Sequence, residues 1–387
     1  MISFINHINE ITKDDWQLVN KSNTPFLSYD FFQALENSDS ATTKQGWQPH
    51  HLLFKNNDQL QTVLPLYLKQ HSWGEYVFDW AWADAYQRNG LDYYPKLVST
   101  IPFTPIPANK LLTHQSLSKE QYSTILSTEI FPALIEHCLT QQINSWHLLF
   151  CSELISCPLI EYLLDEPSNE IYQRHTVQFH WFNRAYTHFD DFLATFTSRK
   201  RKNTRKERLS IQTQQLDIRR LTGKEITEKE LDYFYLAYQL TYLKRNHTPH
   251  LTKDFFQQIF NTMANNLLLV IASHNNNDVA CALFFFDETN LYGRYWGCTE
   301  SFNNLHFELC YYQGIEFCIE NKLQHFNPGT QGEHKIQRGF EPILTHSYHW
   351  IKDQQFKKPI KEFCQQERQQ MQLYQQQCQQ LLPFKHQ

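Results

Sequence analysis

Asn23-Thr-Pro-Phe-Leu-Ser-Tyr-Asp-Phe-Phe-Gln33 returns later in the chain as His247-Thr-Pro-His-Leu-Thr-Lys-Asp-Phe-Phe-Gln257. Thr24/Thr248, Pro25/Pro249, Leu27/Leu251, Asp30/Asp254, Phe31/Phe255, Phe32/Phe256 and Gln33/Gln257 coincide at one constant offset. In each copy an extended Thr-Pro leads into a predicted helix. Ser28 or Thr252 stands at the N-cap, where a side-chain oxygen accepts from a first-turn N–H. Asp30 or Asp254 follows at the positive end of the helix dipole. Each copy then runs through a polar turn, Asn56-Asn-Asp58 or Asn275-Asn-Asn-Asp278, into an apolar strand, Thr62–Leu68 or Val279–Phe286. A repeated motif followed by the same order of elements predicts duplicated domains.

Outward from the first copy, the patterning predicts helix 28–37, strands near 50–55 and 61–69, and an aromatic strand 75–82. A loop with Pro95, Pro102, Pro105 and Pro107 follows, then helix 120–141 and strand 145–151. The second half reads as helices 228–244 and 252–264, strands 267–273, 279–286 and 290–297, helix 304–322, strand 324–327 and a last strand near 345–351. Thr187–Arg220 reads as a helix with a basic run, and Gln-rich 354–380 as a C-terminal helix. The fold class expected is α+β: two tandem units of mixed, mostly antiparallel sheet flanked by helices. The boundary is set at 1–185 and 186–387, the second part keeping the basic and C-terminal helices.

At 387 residues the chain exceeds one ordinary core. Its net charge of −5 gives no global attraction to nucleic acid or anionic lipid, so such a partner needs a local basic patch. The longest apolar run, Ala280–Phe286, is too short to cross a bilayer. Met1-Ile-Ser-Phe-Ile-Asn6 lacks the basic start of a secretory signal. The expectation is a cytoplasmic protein without stable membrane insertion. Nine cysteines with no Cys-x-x-Cys pair, among them Cys281, Cys310 and Cys318 in apolar segments, read as reduced thiols. His247/His250 and His346/His349 lack a helix-face Glu, and the latter pair sits in a strand-like run, so no metal site is expected.

Three segments carry candidate chemistry. The first is Leu291-Tyr-Gly-Arg-Tyr-Trp-Gly-Cys298, then helix 304–322, then Asn327-Pro-Gly-Thr-Gln-Gly-Glu-His-Lys-Ile-Gln-Arg-Gly-Phe340. Gly329, Gly332 and Gly339 bracket one acid, one imidazole and two cations: Glu333, His334, Lys335 and Arg338. Such a set can take a proton from an attacking amine while the cations hold an anion; the bland account is a solvated turn. Glu308 and Tyr312 lie one turn apart on the helix, and Glu308 is read either as a base among apolar neighbours or as the partner of an arginine such as Arg294. Arg294, Trp296 and Tyr312 complete the substrate-binding candidates here. Free N–H groups at the helix start would attract phosphate.

The second segment, Trp73–Tyr86, sets Asp79, Asp84 and Tyr86 among aromatics, as in a pocket for an amino-bearing substrate, or as in a turn held by a buried Asp. The third, Ser198-Arg-Lys-Arg-Lys-Asn-Thr-Arg-Lys-Glu-Arg208, holds seven basic residues in eleven. Arg199, Lys200, Arg201, Lys202 and Arg205 are the phosphate-binding candidates, against a plain solvated helix.

These stretches, with Gly74–Tyr86, Tyr94–Leu97, Ile101–Pro105, Gln178–Asn183, Phe189–Leu193, Leu305–Gln313 and Gln331–Lys335, resemble the FemAB-like "peptidoglycan biosynthesis/recognition" proteins of the GNAT superfamily. The resemblance implies tandem GNAT-like domains and N-acyl transfer, from acyl-CoA or aminoacyl-tRNA, to the amine of a cell-wall precursor peptide or amino acid in a groove between domains. It establishes no cofactor. Thr299–Glu308 contains no glycine where a CoA-binding loop has one or more, and the coiled-coil arm of some Fem enzymes is missing. The resemblance carries over no catalytic residue; Glu308, His334 and Glu333 are the catalytic candidates from their own chemistry, and tRNA is a candidate partner that the resemblance implies. The alternative is a non-catalytic protein that recognises peptidoglycan precursors.

Overall fold

The computed structural model describes residues 1–151, 162, 170–330 and 332–385. Gln331, in the stretch quoted above, therefore lies outside the described residues. Both copies of the Thr-Pro motif fold as their residues dictate. Ser28 Oγ accepts from Phe31 N–H at 3.2 Å, and Thr252 Oγ1 from Phe255 N–H at 3.1 Å. Each capped helix is followed by a hairpin whose turn needs two residues at positive φ, Asn57-Asp58 (49° and 63°) and Asn275-Asn276 (51° and 63°). Asn and Asp tolerate that region better than other side-chain-bearing residues.

In chain order the elements begin with β1 (Ile2–Ile5), α1 (Lys13–Val19), α2 (Tyr29–Asn37), β2 (Trp47–Pro49), β3 (His51–Asn56), β4 (Gln59–Leu64) and β5 (Tyr67–Lys69). They continue with α3 (Trp80–Arg88), β6 (Lys96–Ser99), β7 (Leu112–Thr113), α4 (Lys119–Ile125), α5 (Phe131–Thr140), β8 (Ser145–Cys151), β9 (Ile171–Phe182), α6 (Phe189–Ala194), α7 (Ser198–Thr213) and β10 (Leu216–Thr222). Then come α8 (Glu228–Leu243), α9 (Lys253–Thr262), β11 (Leu267–His274), β12 (Asn277–Phe286), β13 (Asn290–Cys298), α10 (Leu305–Phe307), α11 (Gln313–Glu320), β14 (His325–Asn327), β15 (Glu341–Ile351) and α12 (Gln354–Gln380).

Packing divides the chain into two units. The first is Met1–Ser22, Phe26–Thr176 and Leu344–Leu373; the second is Asn23–Pro25, Val177–Ile343 and Tyr374–Gln387. The linear boundary at 185/186 is thus not how the residues group, because most of β15 and α12 pack on the first unit. Ile351, Phe356, Ile360 and Cys364 form one apolar cluster with Trp82, Tyr86 and Tyr93.

The first unit holds the four-stranded sheet β1-β3-β4-β7 and the strand series β15-β8-β6-β5-β2. The second holds the series β10-β11-β12-β13-β14-β9, with only β13 and β14 parallel. Two expectations fail. Residues 75–82 form no strand: Glu75 and Asp79 both reach one lysine ammonium, whereas an extended strand would hold them about 13 Å apart, and helix α3 starts at Trp80. The segment 187–220 is not one helix: α7 ends at Thr213, and Leu216–Thr222 pairs along β11 in continuous register.

Candidate functional site

In the first unit the Asp79 side chain is buried and held by Lys96. The Lys96 ammonium donates to Ser72 Oγ and Glu75 Oε2, each at 2.8 Å, and to Asp79 Oδ2. Tyr93 OH also donates to Asp79 Oδ2, at 2.6 Å. Burial works against ionised Asp79, but Lys96 and then His147 outweigh it and hold the carboxyl well below its usual range. Burial raises Glu75 to about 7 and lowers Lys69, whose ammonium lies over the Trp47 ring at 3.5 Å, to about 6. Asp84 is on the surface, paired with Arg88 one turn on at 2.6 Å. Tyr86 is stacked on Phe356 at 3.8 Å inside the core. The structure does not bring Asp79, Asp84 and Tyr86 to one pocket: one is neutralised, one solvated, one packed.

In the second unit the candidates do converge. β13 follows β12 along its length but pairs with β14 only over Asn290–Tyr292. The two parallel strands part at Gly293, where a Cβ would lie 3.3 Å from Pro328 Cα. The β12–β13 register shifts at that level, with Leu283 opposite Tyr295 and Phe284 opposite Gly293, so Arg294 is the extra residue of a bulge. Bulges re-aim a side chain and interrupt pairing, and they gather near active sites.

The helix that follows is interrupted by a π-turn, Glu308–Tyr312, which also recurs at functional positions. The loop after β14 closes as a short 3-10 turn, Glu333–Arg338. Glycine is favoured at 332 because its φ of 106° is a backbone conformation that side-chain-bearing residues rarely adopt, and a Cβ there would also displace the His334 ring. Tyr311 OH and His334 Nε2 are 2.7 Å apart. Burial first, then Arg338 and Lys335, hold His334 below the ordinary imidazole value. Lys335 is 2% exposed and donates to the Gly329 carbonyl at 2.6 Å, and burial lowers it to about 7. A side chain at Gly329 would begin 3.6 Å from the Gly293 carbonyl, which ties this lysine to the place where the strands separate.

Around this centre the other charges are already paired. Arg338 lies over Phe307 at 3.4 Å and donates to Glu207 and to the His334 carbonyl, while Tyr312 OH donates to Glu207. Glu333 accepts from Tyr374 OH at 2.5 Å. Glu308 is bound by Arg208, not Arg294: Nε and Nη2 reach its two oxygens at 3.1 and 2.9 Å, and Gln313 adds a bond at 2.8 Å. That leaves Glu308 a pillar of the helix packing. Trp296 stands edge-on to His306 at 5.1 Å. The helix start is tied down, Asn303 to Gln214 and Asn304 to Ser210. Arg199, Lys202 and Arg205 of α7 are exposed and Lys200 and Arg201 half-buried, whereas Thr204, Glu207, Arg208 and Ile211 face the body of the unit.

Sequence reasoning missed Arg208 and Glu207 as organisers, although both lie in the basic run. It also missed the buried Lys69–Glu75–Lys96 lattice, for which the only signal is the recurrence of charge inside apolar strand ends.

Two units of this kind define a tandem α+β fold. The chain belongs to the FemAB-like family, described as peptidoglycan biosynthesis/recognition, whose profile matches residues 7–386. The fold is shared with the crystal structure of FemX, at 10% identity and TM-score 0.50 over 84% of this chain and 93% of that one. A conserved protein of unknown function from Bacteroides thetaiotaomicron matches at 13% identity and TM-score 0.51, over 91% and 100%. The C-terminal domain of a putative lysylphosphatidylglycerol synthetase from Agrobacterium fabrum matches at 6% identity and TM-score 0.51, over 91% and 95%. No curated protein matches the chain. Among the described residues no helix is long and apolar enough to cross a membrane.

Proposed function

We propose that the protein is an N-acyltransferase that moves an aminoacyl group from an activated donor to an amine of a cell-wall precursor peptide or amino acid. The observation that carries this reading is the parting of β13 from β14 at a bulged, glycine-lined point, with a buried lysine tethered to it. Attack of an amine on an acyl carbonyl builds negative charge on the carbonyl oxygen and positive charge on nitrogen. The Lys335 ammonium, beside the point where β14 ends its pairing with β13, supplies a donor for the first. His334, kept neutral as described, accepts the proton. His334 returns that proton to the donor oxygen, which leaves as the alcohol as the acyl carbon becomes an amide.

The donor is assigned by charge. A CoA pyrophosphate needs a glycine-opened loop that leaves N–H groups free at a helix start, and Thr299–Glu308 has no glycine, its loop being tied through Asn303 to Gln214 and through Asn304 to Ser210. The outer face of α7, with Arg199, Lys200, Arg201, Lys202 and Arg205, suits a polyphosphate backbone such as tRNA. Single-turnover transfer from labelled aminoacyl-tRNA to a UDP-linked muropeptide tests the reading. Lys335→Met should abolish transfer, and a triple charge reversal at Arg199, Lys202 and Arg205 should flatten the salt dependence of tRNA binding. Absence of tRNA binding by the intact chain at low salt would reject the donor assignment.

A further inference from the structure

A cleft of about 530 Å³ opens in the same unit, with Glu308 in its lining. Its apolar wall includes Leu193, Ile211, Leu216 and Ile218, with the Phe189 ring beside them. Its charged lining consists of three acids, Asp190, Glu308 and Glu316, and two arginines, Arg205 and Arg208, a net single negative charge, with Gln212 and Gln313 beside them.

The placement of those charges decides what can enter. Arg208 is spent: its guanidinium donates to both oxygens of Glu308 and both of Glu316, at 2.6 to 3.1 Å, and its face rests on Phe189 at 4.5 Å. Arg205 is paired with Asp190 at the exposed rim, at 2.8 Å. An anion would have to break one of these pairs. A cation meets the uncompensated charge at the Glu308–Glu316 pair, where each carboxylate retains unshared lone pairs. The apolar wall asks for a hydrocarbon body behind that charge.

We infer that this cleft binds an organic monocation, a primary ammonium carried on an aliphatic or aromatic body. An amine acceptor belongs to this class, but the inference rests on the lining of the cleft and needs no transfer chemistry.

The test is calorimetric titration of the intact protein with phenethylammonium, 2-phenylethanol and 3-phenylpropionate, which share a body and differ in charge. The cation should bind about tenfold or more tightly than the neutral alcohol, and the anion least. Glu316→Gln should erase that preference. Leu209→Trp, placed at the exposed rim, should block all three ligands with an unchanged circular dichroism spectrum, and it carries the test should Glu316→Gln not fold. Equal affinity for alcohol and ammonium, no binding of the ammonium at millimolar concentration, or binding indifferent to Leu209→Trp would each overturn the assignment.

Discussion

Replacing Lys96 by Met isolates one buried electrostatic commitment of the first unit. The side chain is fully enclosed, and its ammonium satisfies Ser72, Glu75 and Asp79 together. Methionine keeps most of the volume but leaves two carboxylates facing Lys69, whose nearest approach to Glu75 is 4.0 Å. Breaking a buried pair in this way costs about 3–5 kcal/mol. For a unit of this size that corresponds to a fall of roughly 10 °C in Tm. The pH dependence separates lost charge from lost packing. Asp79 has a depressed folded pKa in the native protein, so its contribution is present above the unfolded carboxylate value and lost as pH falls toward the folded one. Without Lys96 the same carboxyl is raised by burial, the sign reverses, and acidification from pH 7 to 5 should narrow the gap between variant and wild type. The assay is chemical unfolding followed by near-UV circular dichroism at both pH values, with Lys96→Met/Asp79→Asn as control. A loss below about 1 kcal/mol, or a double variant no more stable than the single one, would refute the reasoning.

Other perturbations read different parts of the molecule. Gly297→Ala should destabilise the second unit by about 3 kcal/mol or more, measured by urea unfolding, because the new Cβ would lie 2.2 Å from the backbone of Ala237 on α8. Ser28→Ala and Thr252→Ala should each cost about 1 kcal/mol in the same assay, since the two caps are the same device used twice. Burial lowers His50, His175, His306 and His325 to about 4, so stability present above pH 6.5 should be lost as pH falls toward 4. Near pH 5 these four rings should take up about three to four protons on unfolding, with His147, His180 and His349, lowered by burial as well, adding to the slope of stability against pH; a flat slope would mean these rings are charged in the native state.

The duplication was legible because its signals are local. An N-cap, an acid in the first turn and a two-residue Asn/Asp turn act within one or two turns of chain, and each copy carries all three. The same locality explains Gln354–Gln380, where helical propensity and the run of 27 residues leave no competing structure. Strand 216–222 was hidden for the opposite reason. Leu-Asp-Ile-Arg-Arg-Leu-Thr has an ambiguous period, and only its partner β11, some fifty residues on, fixes it as a strand. Segment 75–82 misled because its aromatics read as a buried strand while its acids are the residues that point inward. Trp73, Phe78 and Trp80 are exposed, at 54%, 57% and 38%.

The site divides along the same line. His334, Lys335 and Arg338 could be named from the sequence because three glycines announce a loop of unusual backbone, and all three, Gly329, Gly332 and Gly339, do sit at positive φ. What the sequence could not say is which charges are already paired. Glu308 reads as a free base until Arg208, a hundred residues earlier, is seen to occupy both its oxygens. A charged residue in a linear motif is a candidate for chemistry only after its partners have been counted, and those partners are set by the fold. Applied here, that count removes Glu308, Glu333 and Asp79, and leaves His334 with its Tyr311 contact and Lys335 held on a single carbonyl. Of the groups proposed for transfer, these two are the ones whose proton occupancy burial has moved and no carboxylate has fixed, which is the condition acid–base work requires.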